Sequence, residues 1–460
     1  MTVNNTIRGN IAMGETASGG PGLDRRTFLK ESGLVSLGLG LSALPVGRVG
    51  ANDTINIALI GCNGMGFANT RSTLKVPGTR CIALCDIDQN VLERRTGELV
   101  ELYGEQPRIY SDYRALLDDP DVDAVIIATP DHWHCLQMVH ACEAGKDVYV
   151  EKPLANSIVE CERMVAAQET SGSVVQVGQW QRSGLHWIEA MDFVRSGQLG
   201  KIRTVKAWMY NGGMRPLPVR PDEPAPDGVD YDMWLGPAPL RAYNRNRFHG
   251  SFRWFWDYAG GLMTDWGVHL IDPVLWGMQV EHPKRVMSTG GNFGFPESAM
   301  ETPDTQQAIY EFDDFTMVWE HTMGAGLGPF QRTHGVAFVG RNGTLVVDRN
   351  QWEIFPETEW RSGGPPSYRM AGQPIRTSRP EDRGLDHHTA NFVNCMWTRD
   401  KPACDVETGS MAAVNAHLGN IALRTRETLV WDAENLRFAD DPAADELLQT
   451  EYRSPWRFPG

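Results

Sequence analysis

No run in this 460-residue chain reaches the roughly 20 apolar residues of a membrane-spanning helix. Positive charge is also short: 43 Lys and Arg face 58 Asp and Glu, a formal net charge of -15. A surface of that sign repels phosphate backbones and anionic lipid, so neither is an expected partner. The eight cysteines, Cys62, Cys81, Cys85, Cys135, Cys142, Cys161, Cys395 and Cys404, show no disulfide spacing. Cys81 and Cys85, four apart on one strand, lie too far apart to bridge, and all eight read as buried thiols. No spacing makes a convincing metal site, since the adjacent His387 and His388 point to different sides of a helix. Repeats and low-complexity tracts are absent as well.

What is present is ordinary globular composition, 41% hydrophobic and 22% charged, with length enough for two or three domains. Residues 1–51 stand apart. Asp24-Arg25-Arg26-Thr27-Phe28-Leu29-Lys30 precedes a weakly apolar run from Gly33 to Leu44, and Val49-Gly50-Ala51 offers small residues for cleavage. Together they read as a twin-arginine signal, with Asp24 where Ser or Thr is usual. The expectation is a periplasmic or otherwise exported protein, carried folded by the twin-arginine translocase.

The mature chain opens with strand, glycine turn, helix. Thr54 to Ile60 is a β-branched, apolar run suited to a parallel strand. Gly61-Cys62-Asn63-Gly64-Met65-Gly66 follows, with Asn63 where a dinucleotide fingerprint has its middle glycine and a helix expected from about Gly66. Asn tolerates a left-handed backbone, so the turn survives. Such a turn brings a pyrophosphate against the backbone at a helix N-terminus. The second strand, Arg80 to Cys85, ends in Asp86, placed to hold adenosine ribose hydroxyls. An acid there repels a 2′-phosphate, which favours NAD over NADP.

Strand and helix continue to alternate to about residue 177. Ala124 to Ala128 runs into Thr129-Pro130-Asp131-His132-Trp133-His134, and Asp147 to Val150 ends in Glu151-Lys152-Pro153. This is an α/β pattern with a parallel sheet, whose ligand crevice lies at the C-terminal strand ends. Gly61, Asp86, Thr129, Pro130, Glu151 and Lys152 all fall there. His132 and His134 either border the nicotinamide pocket or cap the next helix; His134 is kept among the cofactor-binding candidates and neither is expected to be catalytic.

The stretch from Gly260 to Asp272 organises the second half. Read as one helix, it puts Asp265, His269 and Asp272 on one face at i, i+4 and i+7. A carboxylate one turn from a histidine can orient the ring and fix its tautomer, as a general base requires. Upstream, Arg253, Trp256 and Tyr258 are candidates to contact a sugar. Gln179 and Arg182, where the first domain hands over to the second, either bind substrate hydroxyls or pack a hinge. Residues 211–250 and 356–383 read as long loops. Strand-like runs at about 284–290, 306–311, 315–321, 333–339 and 343–347 read as an antiparallel meander.

The Gly61–Gly66 turn, Thr129 to His134, Glu151-Lys152-Pro153-Leu154 and Asp265-x3-His269 together resemble the glucose–fructose oxidoreductase, inositol dehydrogenase and MocA family (Gfo/Idh/MocA). The resemblance runs from about residue 54 to the C-terminus. It implies a Rossmann domain over 54–177. Over 178–460 it implies an α+β domain with a large, open, mostly antiparallel sheet that often forms a homo-oligomer interface. It also implies that Lys152 contacts the nicotinamide ribose and the reacting hydroxyl, and that His269 is the base with Asp265 beside it. The expected activity is NAD(P)-dependent oxidation of a carbohydrate or polyol CH–OH group. Because free nicotinamide is not expected outside the cytoplasm, the cofactor is expected to be tightly bound and recycled. The alternative is a glycoside hydrolase or lyase working by transient oxidation and elimination. The intact Glu151-Lys152-Pro153 favours the oxidoreductase.

Overall fold

Six short strands, apolar apart from β3, build the first sheet: β1 (Ile55–Ile60), β2 (Thr79–Cys85), β3 (Arg108–Tyr110), β4 (Ala124–Ile127), β5 (Asp147–Val150) and β6 (Val175–Val177). The computed structural model describes residues 54–460 apart from 360–363, 366, 383 and 440. The segment read as an export signal lies outside the described residues. The strands run in the order β3-β2-β1-β4-β5-β6 and every neighbouring pair is parallel. Chain direction across the sheet reverses between β1 and β4, which opens a crevice above their C-terminal ends. Ile57, Ala58 and Leu59 are fully buried, as a strand covered on both faces demands.

The second sheet has ten strands. In chain order they are β7 (Thr204–Asn211), β8 (Arg285–Gly291), β9 (Thr305–Glu311), β10 (Thr316–Met323), β11 (His334–Val339), β12 (Gly343–Val347) and β13 (Gln351–Pro356). A separate small pair, β14 (Thr358–Glu359) and β15 (Ser367–Tyr368), intervenes before β16 (Arg376–Thr377), β17 (Leu429–Asp432) and β18 (Arg437–Phe438). The order is β16-β13-β12-β11-β7-β10-β9-β8-β17-β18, antiparallel except for the β7–β10 pair. The helices Gly267–Met278 and Val406–Thr425 lie against it. The alternation along β9 turns Gln306, Ala308 and Tyr310 inward and leaves Ile309 exposed.

Three departures from the sequence reading bear on the site. The first helix begins at Gly64, not Gly66. β13 was not anticipated, its Trp352 and Ile354 alternating inward within a short run. The organising stretch is two helices, Gly261–Asp265 and Gly267–Met278, divided at Trp266. Residues 211–250 remain largely irregular around the short helix Tyr231–Leu235, and wrap Trp234, Tyr243, Phe248, Phe252 and Tyr258 into their own apolar cluster. All eight cysteines are buried and unbridged.

Candidate active site

A crevice of about 650 Å³ runs along the C-terminal ends of β1, β2, β4 and β5 and continues to the edge of the large sheet. That is room for a cofactor-sized ligand. Its first end is built by the glycine turn. Gly61 has φ +86, and a Cβ there would lie 2.7 Å from the Ala128 carbonyl, so only glycine fits. Gly64, at φ +40, has nothing within 4 Å of its Cβ position and leaves the helix mouth open. Asn63 makes no side-chain bond to the first-turn amides; the Gly66 amide donates to the Asn63 carbonyl at 3.1 Å, and those of Gly64 and Met65 stay available to an anion. Asn63, Gly64, Met65, Thr129 and Pro130 line the crevice with Gly61. Gly66 does not; its Cβ would meet the Gly61 carbonyl at 2.1 Å, so its role is close packing of helix on turn.

Asp86 lines the same end and accepts the Cys62 amide at 2.7 Å and the Asp88 amide at 3.1 Å. Burial pushes its carboxyl up, and those two amides pull it back. Glu151 is buried beneath the turn, accepting from Asn69 Nδ2 at 2.8 Å and from the Lys152 amide at 3.2 Å. This donor set fits a dinucleotide: open amides for pyrophosphate, and a carboxylate one strand over for ribose hydroxyls.

The other end gathers the reactive groups. Lys152, just past β5, donates from Nζ to Asp265 Oδ1 at 2.8 Å and to the Asp265 carbonyl at 3.0 Å. Arg253 Nε lies 3.4 Å from Asp265 Oδ2. Burial alone would raise the Asp265 carboxyl; Lys152 and Arg253 overcome it and hold it well below the usual carboxylate range. His269 is buried, its ring edge-on to Trp180 and Trp266, and Nδ1 has no hydrogen-bond partner. Burial, then the charges of Lys152 and Arg349, keep this imidazole neutral, well below the ordinary 6.5. Asp265 therefore does not orient His269 through a hydrogen bond, as the helical spacing suggested; its carboxylate serves Lys152 and Arg253. Asp131, nearby and buried, is pushed up to about 8 by desolvation against the pull of Lys152 and Arg253.

Residues 55–179 match a family model described as an oxidoreductase family with an NAD-binding Rossmann fold, and residues 203–290 and 379–458 match that family's C-terminal alpha/beta domain. The chain belongs to the Gfo/Idh/MocA oxidoreductase family. Glycosyl hydrolase family 109 protein 1 of Shewanella sp. (strain ANA-3) is 29% identical over 203 residues, 39% of this chain and 44% of that protein. The chain thus spans less than half the length of the curated relatives it matches. Aldose-aldose oxidoreductase from Caulobacter crescentus shares the fold at 21% identity and a TM-score of 0.59, over 82% of this chain and 100% of that one. Myo-inositol 2-dehydrogenase from Lactobacillus plantarum does so at 19% identity and a TM-score of 0.60, with the same coverage.

Within this Gfo/Idh/MocA chain several sequence candidates lie elsewhere. His134 holds backbone instead of cofactor, with Nδ1 2.8 Å from the Pro153 carbonyl and Nε2 2.9 Å from that of Thr129. Arg182 forms a buried ion pair with Asp272, the acid expected near His269. Gln179 is buried outside the crevice. Trp256 lines a different hollow, its indole N–H donating to the Glu301 carbonyl at 3.1 Å. Tyr258 packs on His132 and Trp234. Residues the sequence did not single out take these places. Trp180, Trp266, Asp131 and Arg349 line the crevice, and Gln181 Nε2 donates to the His269 carbonyl at 2.9 Å. The one available signal was the segment Gly178 to Arg182, where Trp180 lines the crevice and the buried Gln181 holds the His269 backbone.

Proposed function

We propose that this protein oxidises a CH–OH group of a carbohydrate or polyol, with Lys152 and His269 acting on the reacting hydroxyl. The observation that carries this is the convergence of Lys152, Asp265 and His269 in one crevice with the glycine turn of an NAD-binding domain. NAD, when bound, supplies the hydride acceptor. Lys152, anchored and charge-balanced by Asp265, polarises the hydroxyl oxygen and stabilises the developing alkoxide. His269, neutral and lining the crevice, accepts the proton. The imidazolium formed is stabilised by the Asp265 charge. Arg253 steadies Asp265 from the other side and lines the substrate end.

The cofactor is tightly held and recycled on the enzyme, because the twin-arginine signal over residues 1–51 directs the folded protein out of the cytoplasm through the twin-arginine translocase. The aldose-aldose oxidoreductase neighbour, named for pairing two sugars, supports recycling by coupled half-reactions. Exposed Met287 and Ile309 on β8 and β9 support homo-oligomer formation through the large sheet. A second reading rests on the glycosyl hydrolase family 109 relatives: transient oxidation acidifies the neighbouring C–H, a glycosidic substituent is eliminated, and the carbonyl is reduced again. Purified holoenzyme incubated with sugars and aryl glycosides, with and without a carbonyl acceptor, separates the two. Acceptor-dependent ketone formation supports the oxidoreductase; glycoside cleavage without any acceptor replaces it with the redox-neutral cycle.

A further inference from the structure

Arg349 leaves the large sheet just after β12 and lines the crevice between two indoles, its guanidinium 4.8 Å from the Trp180 ring centre and 4.3 Å from that of Trp266. Its Nε donates to Gln181 Oε1 at 3.1 Å. Among the described residues its Nη1 and Nη2 have no hydrogen-bond partner and no carboxylate lies within ion-pair distance. The adjacent carboxylate, Asp348, is taken by Arg332 at 3.1 Å. A partly buried cation normally has an acid partner, which offsets part of its desolvation cost. Burial pushes this guanidinium down to about 10, with only the more distant Asp265 opposing.

The surroundings do not supply that partner. Lys152 and Arg253 already share Asp265. Asp131, pushed up to about 8, is mostly neutral at neutral pH. The substrate end of the crevice therefore carries excess positive charge in a chain whose net charge is -15. The two indole faces flank the guanidinium, leaving its forked edge open to the crevice.

We propose that Arg349 receives the carboxylate of an acidic sugar, a uronic acid or its glycoside, and thereby sets the substrate class. This rests on the reading that the crevice oxidises a sugar hydroxyl. Arg349 comes from the large sheet and Lys152 from the parallel sheet, so one ring can be held by its carboxylate while a hydroxyl meets the lysine. The planar fork matches a carboxylate through two parallel N–H···O bonds, a fit that neutral hydroxymethyl groups do not offer.

Calorimetric titration of the NAD-loaded enzyme with D-glucuronate, D-galacturonate, the matching uronamides and the parent aldoses tests it. Uronates should bind at least about tenfold more tightly than their amides, and Arg349→Gln should weaken uronate binding about 100-fold while leaving the aldoses within about threefold. Arg349→Lys, which keeps the charge and loses the fork, should fall between. Equal binding of uronate and uronamide by the unaltered enzyme overturns the proposal, and needs no variant to fold. So does an equal loss for charged and neutral sugars in Arg349→Gln, the signature of a packing role, or tighter binding of a sugar 6-phosphate than of the uronate. Reduction of the bound NAD is read in the same samples. Arg349-dependent uronate binding without reduction would leave this inference standing and remove the oxidation reading; reduction by aldoses without uronate preference would do the reverse.

Discussion

Lys152 Nζ is bonded to Asp265 at both the carboxylate, 2.8 Å, and the main-chain carbonyl, 3.0 Å. The lysine ends a strand of the parallel sheet and the aspartate ends the helix Gly261–Asp265, so the pair ties the cofactor sheet to the substrate side. It fixes the ammonium and sets a cation near His269. Burial first, then that cation and Arg349, hold the imidazole neutral.

The first prediction follows from this neutral histidine. A base works only unprotonated, so activity should persist as pH falls through the ordinary 6.5 and fail only below it. The pH profile of kcat, measured in single turnovers to remove product release, checks this. An acid limb centred at 6.5 or higher would contradict it.

The Arg182–Asp272 pair is buried, with side chains 14% and 2% exposed. Arg182→Ala strands the Asp272 carboxylate and should cost about 3–5 kcal/mol of stability. Denaturant unfolding measures this loss. Turnover per folded molecule should stay near that of the unaltered enzyme; a raised KM with unchanged stability would return Arg182 to the substrate site.

These corrections show what a sequence can carry. Four strands of the parallel sheet were legible because each is a short apolar run ending in a residue of distinct chemistry: Gly61, Asp86, Thr129, Glu151; β3, a short and largely exposed Arg-Ile-Tyr, was not. Local signals of that kind survive folding. The aromatic run Arg253 to Tyr258 was not separable, because adjacent residues on a tight turn face different ways: Arg253 the crevice, Trp256 another hollow, Tyr258 an apolar cluster. Helical period also set Asp265 one turn before His269 on a single helix, since it does not register the division at Trp266; Asp272, in the same helix as His269, pairs with Arg182 instead. Arg349 was invisible because its partners Trp180 and Trp266 come from distant segments, and nothing local marks an arginine whose acid partner is missing.

Gly61→Ala should abolish NAD retention. Its φ of +86 and the 2.7 Å approach to Ala128 leave no place for a methyl group. Gly64→Ala, with open space around its Cβ but a backbone at φ +40, should fold with some loss of stability and bind NAD more weakly, since the methyl group occupies the helix mouth. NAD released on denaturing each purified variant is the readout. Full NAD content in Gly61→Ala would place the cofactor elsewhere.

Asp131 gives a stability prediction with an inverted sign. Its carboxyl is raised from 3.8 to about 8, so between those values the folded state keeps a proton that the unfolded state has lost. Stability therefore falls as pH rises through that window. Asp131→Asn should flatten the fall, seen as a smaller drop in Tm between pH of about 5 and 8. Equal drops in both proteins would contradict it.

The most direct measurement mixes enzyme carrying its NAD with sugar and follows the near-ultraviolet absorbance of reduced nicotinamide in Lys152→Ala beside the unaltered protein. The account predicts formation of the reduced cofactor in the unaltered protein, and a rate at least about 100-fold lower in the variant at equal NAD content. Equal rates would contradict a role for Lys152 at the reacting hydroxyl.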